Sequence, residues 1–216
     1  MDKASLWREK LWALFEERLF PILSGPGLFN QYKDTDPEYD LPDAGRLRRE
    51  NLKNYMMCYR KRPQVLLVGE AAGPWGCRFS GVPFTSESQL VRGGLPFKGN
   101  RTSRHEPPYR ERSGAVVWDA LLQEFPRFLL WNAVPLHPHE PGRKNLLTIR
   151  TPRLQEIKAF SPLLKEFLSV LEPERVVAVG RKAQYALGLI GVPCDYVRHP
   201  AQGGEGEFRE GIKKIF

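Results

Sequence analysis

Four short apolar runs separated by helical patterns predict a three-layer α/β/α domain with a central four-stranded parallel sheet. VLLVGE (65–70), FLLWNAV (128–134), RVVAVG (175–180) and the weaker CDYVRHP (194–200) are β-branched or apolar runs that end at small or polar residues. Buried parallel strands read this way, because both of their faces are covered. Strands alternating with helices and joined by right-handed crossovers place helices on both faces of the sheet. The 216 residues fit a single domain, 1–216, with N-terminal helices over 1–61 packed on an α/β core over 62–216.

The elements follow in order. Trp7, Leu11, Leu14, Phe15 and Leu19 recur at helical spacing, predicting a helix over 5–20 that Pro21 stops. Residues 24–42 carry Gly25, Pro26, Gly27, Pro37 and Pro42 among polar residues and read as an extended loop. Asp43 is placed to cap a second helix running to about Arg60, with Leu47, Tyr55, Met56 and Tyr59 inward. Beyond the first strand, a helix is expected over Gly114–Phe125. Over Thr151–Leu171, Pro152 and Pro162 each follow a hydroxyl residue and predict two successive helices. Further helices are expected over Arg181–Ile190, with Gly191 as its stop, and over Gly206–Ile215.

Composition narrows the function. The chain is 41% hydrophobic and 27% charged, outside the disordered regime. Its 33 Lys and Arg against 25 Asp and Glu leave a net charge of +8, which makes a polyanion the natural partner, nucleic acid before anionic membrane. No stretch approaches the roughly 18 unbroken apolar residues of a membrane span. The charged N-terminal segment lacks the apolar region of a secretory signal. Cys58, Cys77 and Cys194 are odd in number and far apart, so neither a disulfide framework nor a CxxC metal knuckle is expected. The expected protein is cytoplasmic, nucleoid-associated if bacterial, not membrane-bound, and a monomer.

Ligands of such sheets bind beyond the carboxyl ends of the strands. There the chain places Gly69-Glu70-Ala71-Ala72-Gly73, Asn132 to His137, Gly180-Arg181-Lys182 and Arg198-His199-Pro200. The first of these continues as GEAAGPWGCRFSGVPFTSE (69–87), which lacks both the P-loop and the dinucleotide spacing but allows close backbone approach. Glu70 is either a solvated or capping carboxylate or one held beside a ligand, and Glu87 is a second carboxylate further along. Phe84 follows Pro83 in a loop, as core filler or as a stacking surface. Asn132 interrupts an apolar strand, where an amide must be paired by backbone or held ready for a ligand edge. His199 ends the last strand, in a structural or a chemical role. The loops 137–143 and 199–206 are Gly/Pro-rich, with Arg143, Lys144, Arg150 and Arg153 adding positive charge nearby. The basic stretch 98–112, with His105 and Tyr109, reads equally as a solvated loop or a DNA contact. His137, His139 and His199 lack metal-ligand spacing, so no metal and no cofactor is expected.

Taken together, LLVGEAAG, GCRFSGVPFTSE, LLWNAVPLHP and His199-Pro200 resemble, in order and each at a strand end, the motifs of the uracil-DNA glycosylase superfamily over about residues 62–216. The first is similar to the GExPG form of its iron–sulfur-containing bacterial and archaeal branches. The resemblance implies a uracil-DNA glycosylase-like fold and hydrolysis of the N-glycosidic bond of uracil, or of a related deaminated base, flipped out of DNA in base-excision repair. It implies catalytic roles for Glu70, Asn132 and His199, with Glu70 acting on the attacking water. A substrate pocket of Ala71, Gly73, Phe84 and Asn132 follows, with Phe84 stacking on the base and Asn132 reading its edge. DNA contacts are implied at Arg143, Lys144, Arg181, Lys182 and Gln202.

Departures from the pattern matter as well. Three cysteines in unmatched contexts imply no cluster. Ala71 stands where the best-known branch has an Asp, and Gly73 where that branch has the bulky residue that bars thymine. In HPAQGGEG the only candidate wedge is Gln202. Two other functions remain open: a glycosylase-fold DNA-binding protein with weak or lost catalysis, and a hydrolase or transferase acting on free nucleosides or nucleotides. No G-x-S-x-G elbow supports a serine hydrolase.

Overall fold

The computed structural model describes residues 6–142 and 146–216. Its elements are α1 (Leu6–Leu14, continued by a π-helical turn over Phe15–Leu19), β1 (Leu28–Phe29), α2 (Ala44–Met57), β2 (Val65–Ala71), α3 (Cys77–Ser80) and α4 (Glu87–Arg92). Then come α5 (Arg112–Leu121), β3 (Phe128–Val134), β4 (His137–Pro138), α6 (Leu154–Leu171), β5 (Arg175–Val179), α7 (Arg181–Leu189), β6 (Asp195–Val197) and α8 (Glu205–Ile215).

The four expected strands form one parallel sheet in the order β3–β2–β5–β6. Side chains alternate across β3, and its two faces show how the layers divide. Trp131 stacks on Phe15 at 4.9 Å and on Phe167 at 4.7 Å, which joins the sheet to the N-terminal helix and to α6. Phe128 points the other way, to Trp118 of α5 at 5.7 Å and to Phe216 beyond α8. β3 is an outer strand, and α2 covers its free edge: the Leu130 N–H donates to the Tyr55 hydroxyl at 2.7 Å.

Three expectations are corrected. Residues 151–171 form one α-helix from Leu154, with Pro162 inside it. Ile157, Phe160, Leu163, Leu164, Phe167 and Leu168 make one continuous buried face across the proline. That burial, about 1.5–3 kcal/mol per side chain, outweighs a proline penalty of about 3 kcal/mol. Asp43 makes no capping hydrogen bond, because its φ of +61° turns the carboxylate out toward Arg46. Residues 24–42, expected as an extended loop, also hold a short strand and pack inward. β1 pairs with β4, and Asn30, Gln31, Tyr32, Asp36 and Asp40 are buried. Asp40 lies between two fully buried arginines: Arg78 donates to both of its oxygens, at 2.8 and 3.2 Å, and Arg48 pairs with it as well. The Arg78 guanidinium is sandwiched by Phe29 and Phe79 at 4.3 and 4.4 Å.

Candidate active site

Parallel register sets the first two groups. Gly69 of β2 lies opposite Asn132 of β3, so the Asn132 amide and the residue after Gly69 emerge together at the carboxyl edge. Any Cβ at Gly69 would stand 2.3 Å from the Phe84 ring and 2.6 Å from Asn132 Oδ1. Glycine is therefore what lets ring and amide close over the strand end. Phe84 is held there by a left-handed backbone, φ +53°, a conformation costly for an aromatic residue.

Asn132 is only 3% exposed. The Asn132 side chain has no hydrogen-bond partner among the described residues. The amide is not wholly enclosed, so a ligand that seals it must complete its hydrogen bonds or incur about 1–3 kcal/mol. Of the two readings open from sequence, backbone satisfaction is the one the structure does not support.

His199 follows β6, its ring 6.1 Å from that of Phe84. Its Nδ1 accepts the Ala201 N–H at 3.1 Å. Burial, and secondarily Arg198, push its pKa down to about 4, so the ring is neutral with its proton on Nε2. Glu70 is the penultimate residue of β2, and its Oε1 accepts the Lys182 N–H at 3.3 Å at the start of α7. Burial raises the Glu70 pKa, while that N–H and the Lys182 charge oppose the rise. Gly180, at φ +94°, brings carboxylate and imidazole side by side: a Cβ there would lie 2.5 Å from Glu70 Oε1 and 3.3 Å from the His199 Cβ.

These groups border a cleft of about 390 Å³ whose walls include Glu70, Ala71, Arg181, Lys182, His199 and Gln202. Phe84 and Asn132 do not line it; they adjoin it through Gly69 and His199. The fold thus gathers Glu70, Ala71, Arg181, Lys182, His199 and Gln202 on one cleft, while Phe84 and Asn132 meet over Gly69, with the Phe84 ring 6.1 Å from that of His199. Arg143 and Lys144 lie outside the described residues.

Other candidates fall away from the site. Glu87 is buried, accepting the Thr102 N–H, the Ser103 N–H at 2.8 Å and the Ser103 hydroxyl, so it does not reach the cleft. Arg150 is tied to Glu156 at 2.7 Å and to the carbonyls of His139 and Gly27. The His137 ring is buried between the carbonyls of Ala72 and Leu146. His105 stacks on Tyr109, which stacks on Phe79, so part of the 98–112 stretch is packed. Among the described residues no group of three or more His, Cys, Asp or Glu is placed to hold a metal ion, and no helix is long and apolar enough to cross a membrane.

One residue was missed. The Glu111 carboxylate lies across the Gly-rich loop: Cβ atoms at Gly73 and Gly76 would stand 2.2 and 2.3 Å from its two oxygens. Gly73 is thus not an open space, since a carboxyl group occupies the volume its side chain would take. No cation pairs with Glu111 among the described residues, and burial pushes its pKa up to about 7 against the pull of the Gly114 N–H. A folded pKa above the ordinary value means the native state holds the proton longer than the unfolded chain. The penalty is therefore absent below about pH 4.5 and grows as pH rises through 7. Glu111→Gln is expected to raise Tm by at least a few degrees at pH ~8 and by little at pH ~4, as read by thermal melts at both.

The sequence model of the Uracil DNA glycosylase superfamily matches residues 57–211. Among solved structures, the chain is similar to that of wild-type SMUG2 from Pedobacter heparinus, at a TM-score of 0.67 and 15% sequence identity, covering 97% of this chain and 94% of that one. That likeness bears on the fold, and it spans the N-terminal helices as well as the core. No curated protein matches by sequence.

Proposed function

Because the chain belongs to the uracil-DNA glycosylase superfamily, we propose that it hydrolyses the N-glycosidic bond of uracil, or of a related deaminated base, extruded from DNA during base-excision repair. The single observation that carries this reading is Asn132: a residue 3% exposed whose amide has no partner among the described residues, beside the Phe84 ring, which itself lies 6.1 Å from a neutral histidine. Uracil offers the complement, with O4 accepting from Nδ2 and N3–H donating to Oδ1. Cytosine reverses both positions and leaves the buried amide unpaired, which is a strong basis for rejection.

The bond to C1′ lies inside the stack, so the nucleotide must first swing out. Phe84 then stacks on the base. As the C1′–N bond breaks, its electron pair passes to the base and negative charge gathers at O2. His199 Nε2–H is the donor that meets it, and a fixed donor of this kind supplies about 3–4 kcal/mol. The ring stays neutral as it donates to the developing anion. Water bonds to C1′ and gives its proton to the Glu70 carboxylate, whose charge also offsets the cationic sugar. Arg181, Lys182 and Gln202 line the approach. We assign this activity to a monomeric single domain, 1–216, working inside the cell.

Purified protein is expected to release free base from uracil-containing oligonucleotides without added metal. A panel of uracil, hypoxanthine and xanthine substrates, single- and double-stranded, tests this; no release from any of them overturns the reading. Salt-sensitive binding to DNA without release would favour a binding protein instead, for which Ala71, lacking any polar group, is the motivating residue.

The pH profile offers a finer check. Glu70 must be ionised and His199 neutral, so the rate falls as pH drops. Burial lowers the His199 pKa to about 4 and raises that of Glu70, so the acid limb is expected to follow Glu70. Glu70→Gln is expected to lower kcat/KM by roughly 10²–10⁴-fold and to flatten that limb, as measured by initial rates across the acid range.

A further inference from the structure

Extrusion of a nucleotide leaves a gap in the base stack, and proteins that kink DNA fill such gaps with an apolar side chain. We infer that Ile149 is this wedge. The inference rests on the glycosylase reading and adds to it a residue from outside the strand-end motifs.

Ile149 is 70% exposed. A single exposed aliphatic residue is ordinary on a protein surface. What sets this one apart is its position and its footing. It lines the same cleft as Glu70 and His199, with Arg181, Lys182 and Arg198 on the surrounding walls. Cations of that kind hold phosphate backbones, and an apolar group this exposed among them is free to pack against bases.

The footing comes from the next residue. Arg150 donates Nε–H to the His139 carbonyl at 2.9 Å, Nη1–H to the Thr151 carbonyl at 3.1 Å and to Glu156 at 3.0 Å, and Nη2–H to Glu156 at 2.7 Å and to the Gly27 carbonyl. Its side chain is 8% exposed. Pro152 then fixes the turn into α6. The chain is therefore clamped at Arg150, while the side chain just before it projects over the cleft. Ile is β-branched and stiff about χ1, so little rotamer freedom remains to be lost when it enters a stack.

Gln202 stands on the facing wall with a left-handed backbone, φ +53°, and is polar. An amide placed between bases would give up its hydration unless paired, which suits it to a base edge rather than to the apolar interior of the stack. Ile149 and Gln202 thus divide between them the role that sequence alone gave to Gln202.

A single strand has no opposing stack to open, so the wedge acts on duplex substrates. Ile149→Ala is expected to lower the duplex-to-single-strand ratio of kcat/KM for base release about tenfold or more, and Ile149→Leu to restore most of it. A second measurement does not depend on catalysis. In a duplex with 2-aminopurine next to the target nucleotide, wild-type protein should raise the fluorescence as the stack opens. Ile149→Ala should bind the duplex without that rise. An unchanged ratio together with an unchanged rise in Ile149→Ala overturns the inference. So does a duplex-selective loss confined to Gln202→Ala, or no rise with wild-type protein. Wild type that opens the stack but releases no base would instead count against the proposed activity and leave Ile149 supported.

Discussion

Asn132→Asp should lose uracil excision by on the order of 10²–10³-fold in kcat/KM. The substitution keeps size and shape but replaces the Nδ2 donor with an oxygen. At a residue 3% exposed, with no partner among the described residues, no neighbouring group can take over the donor's role. Ionised, the new side chain turns two acceptors toward a uracil edge that presents O4, another acceptor. Protonated, it recovers one donor but gains no second one. Selectivity should fall along with rate, because the pattern that distinguishes uracil from cytosine is the one lost. Parallel assays on uracil and cytosine oligonucleotides read both effects. Wild-type rate and selectivity in the variant would mean that the base sits elsewhere.

His199→Ala should slow release by about 10²–10³-fold while leaving DNA affinity within a few fold. The interaction removed exists only once charge has moved onto the base, so the loss falls on kcat and not on binding. The imidazole is neutral well above pH 4, so it contributes no cation to DNA attraction. Single-turnover rates beside equilibrium binding on the same oligonucleotide separate the two. A loss in affinity equal to the loss in rate would place His199 among the DNA contacts.

Much of this arrangement is readable in the chain because local pattern and tertiary context agree. FLLWNAV is a strand over the expected residues, since both of its faces are buried and its apolar run needs no alternation. Asn132 declares itself by breaking that run, and His199 by standing between the last strand and a proline. Where the reading fails, distant residues decide. Polar, proline-rich 24–42 reads as an extended loop, and only the fold shows Arg48 and Arg78 enclosing Asp40 within it. Pro162 looks like a boundary until its helix is seen to bury one unbroken face. Glu111 lies in a basic stretch that looks exposed, and only the fold sets its carboxylate against Gly73 and Gly76. Ile149 carries no local signal at all, because a wedge is defined by what surrounds it.

The Asp40 pairing also bears on what counts as the smallest working piece of this chain. The family match begins at residue 57, and the strand-end motifs all lie beyond it. Yet Arg78 follows the Gly-rich loop directly, and the anion that neutralises it comes from residue 40. A fragment cut to the recognisable motifs would keep a guanidinium in its interior with no counter-charge, immediately beside the loop that shapes the cleft. Breaking such a buried pair from one side costs about 3–5 kcal/mol, a large share of a domain's net stability. Any shortened version, and any chimera that borrows the motifs, has to carry residues 24–42 along with the cleft.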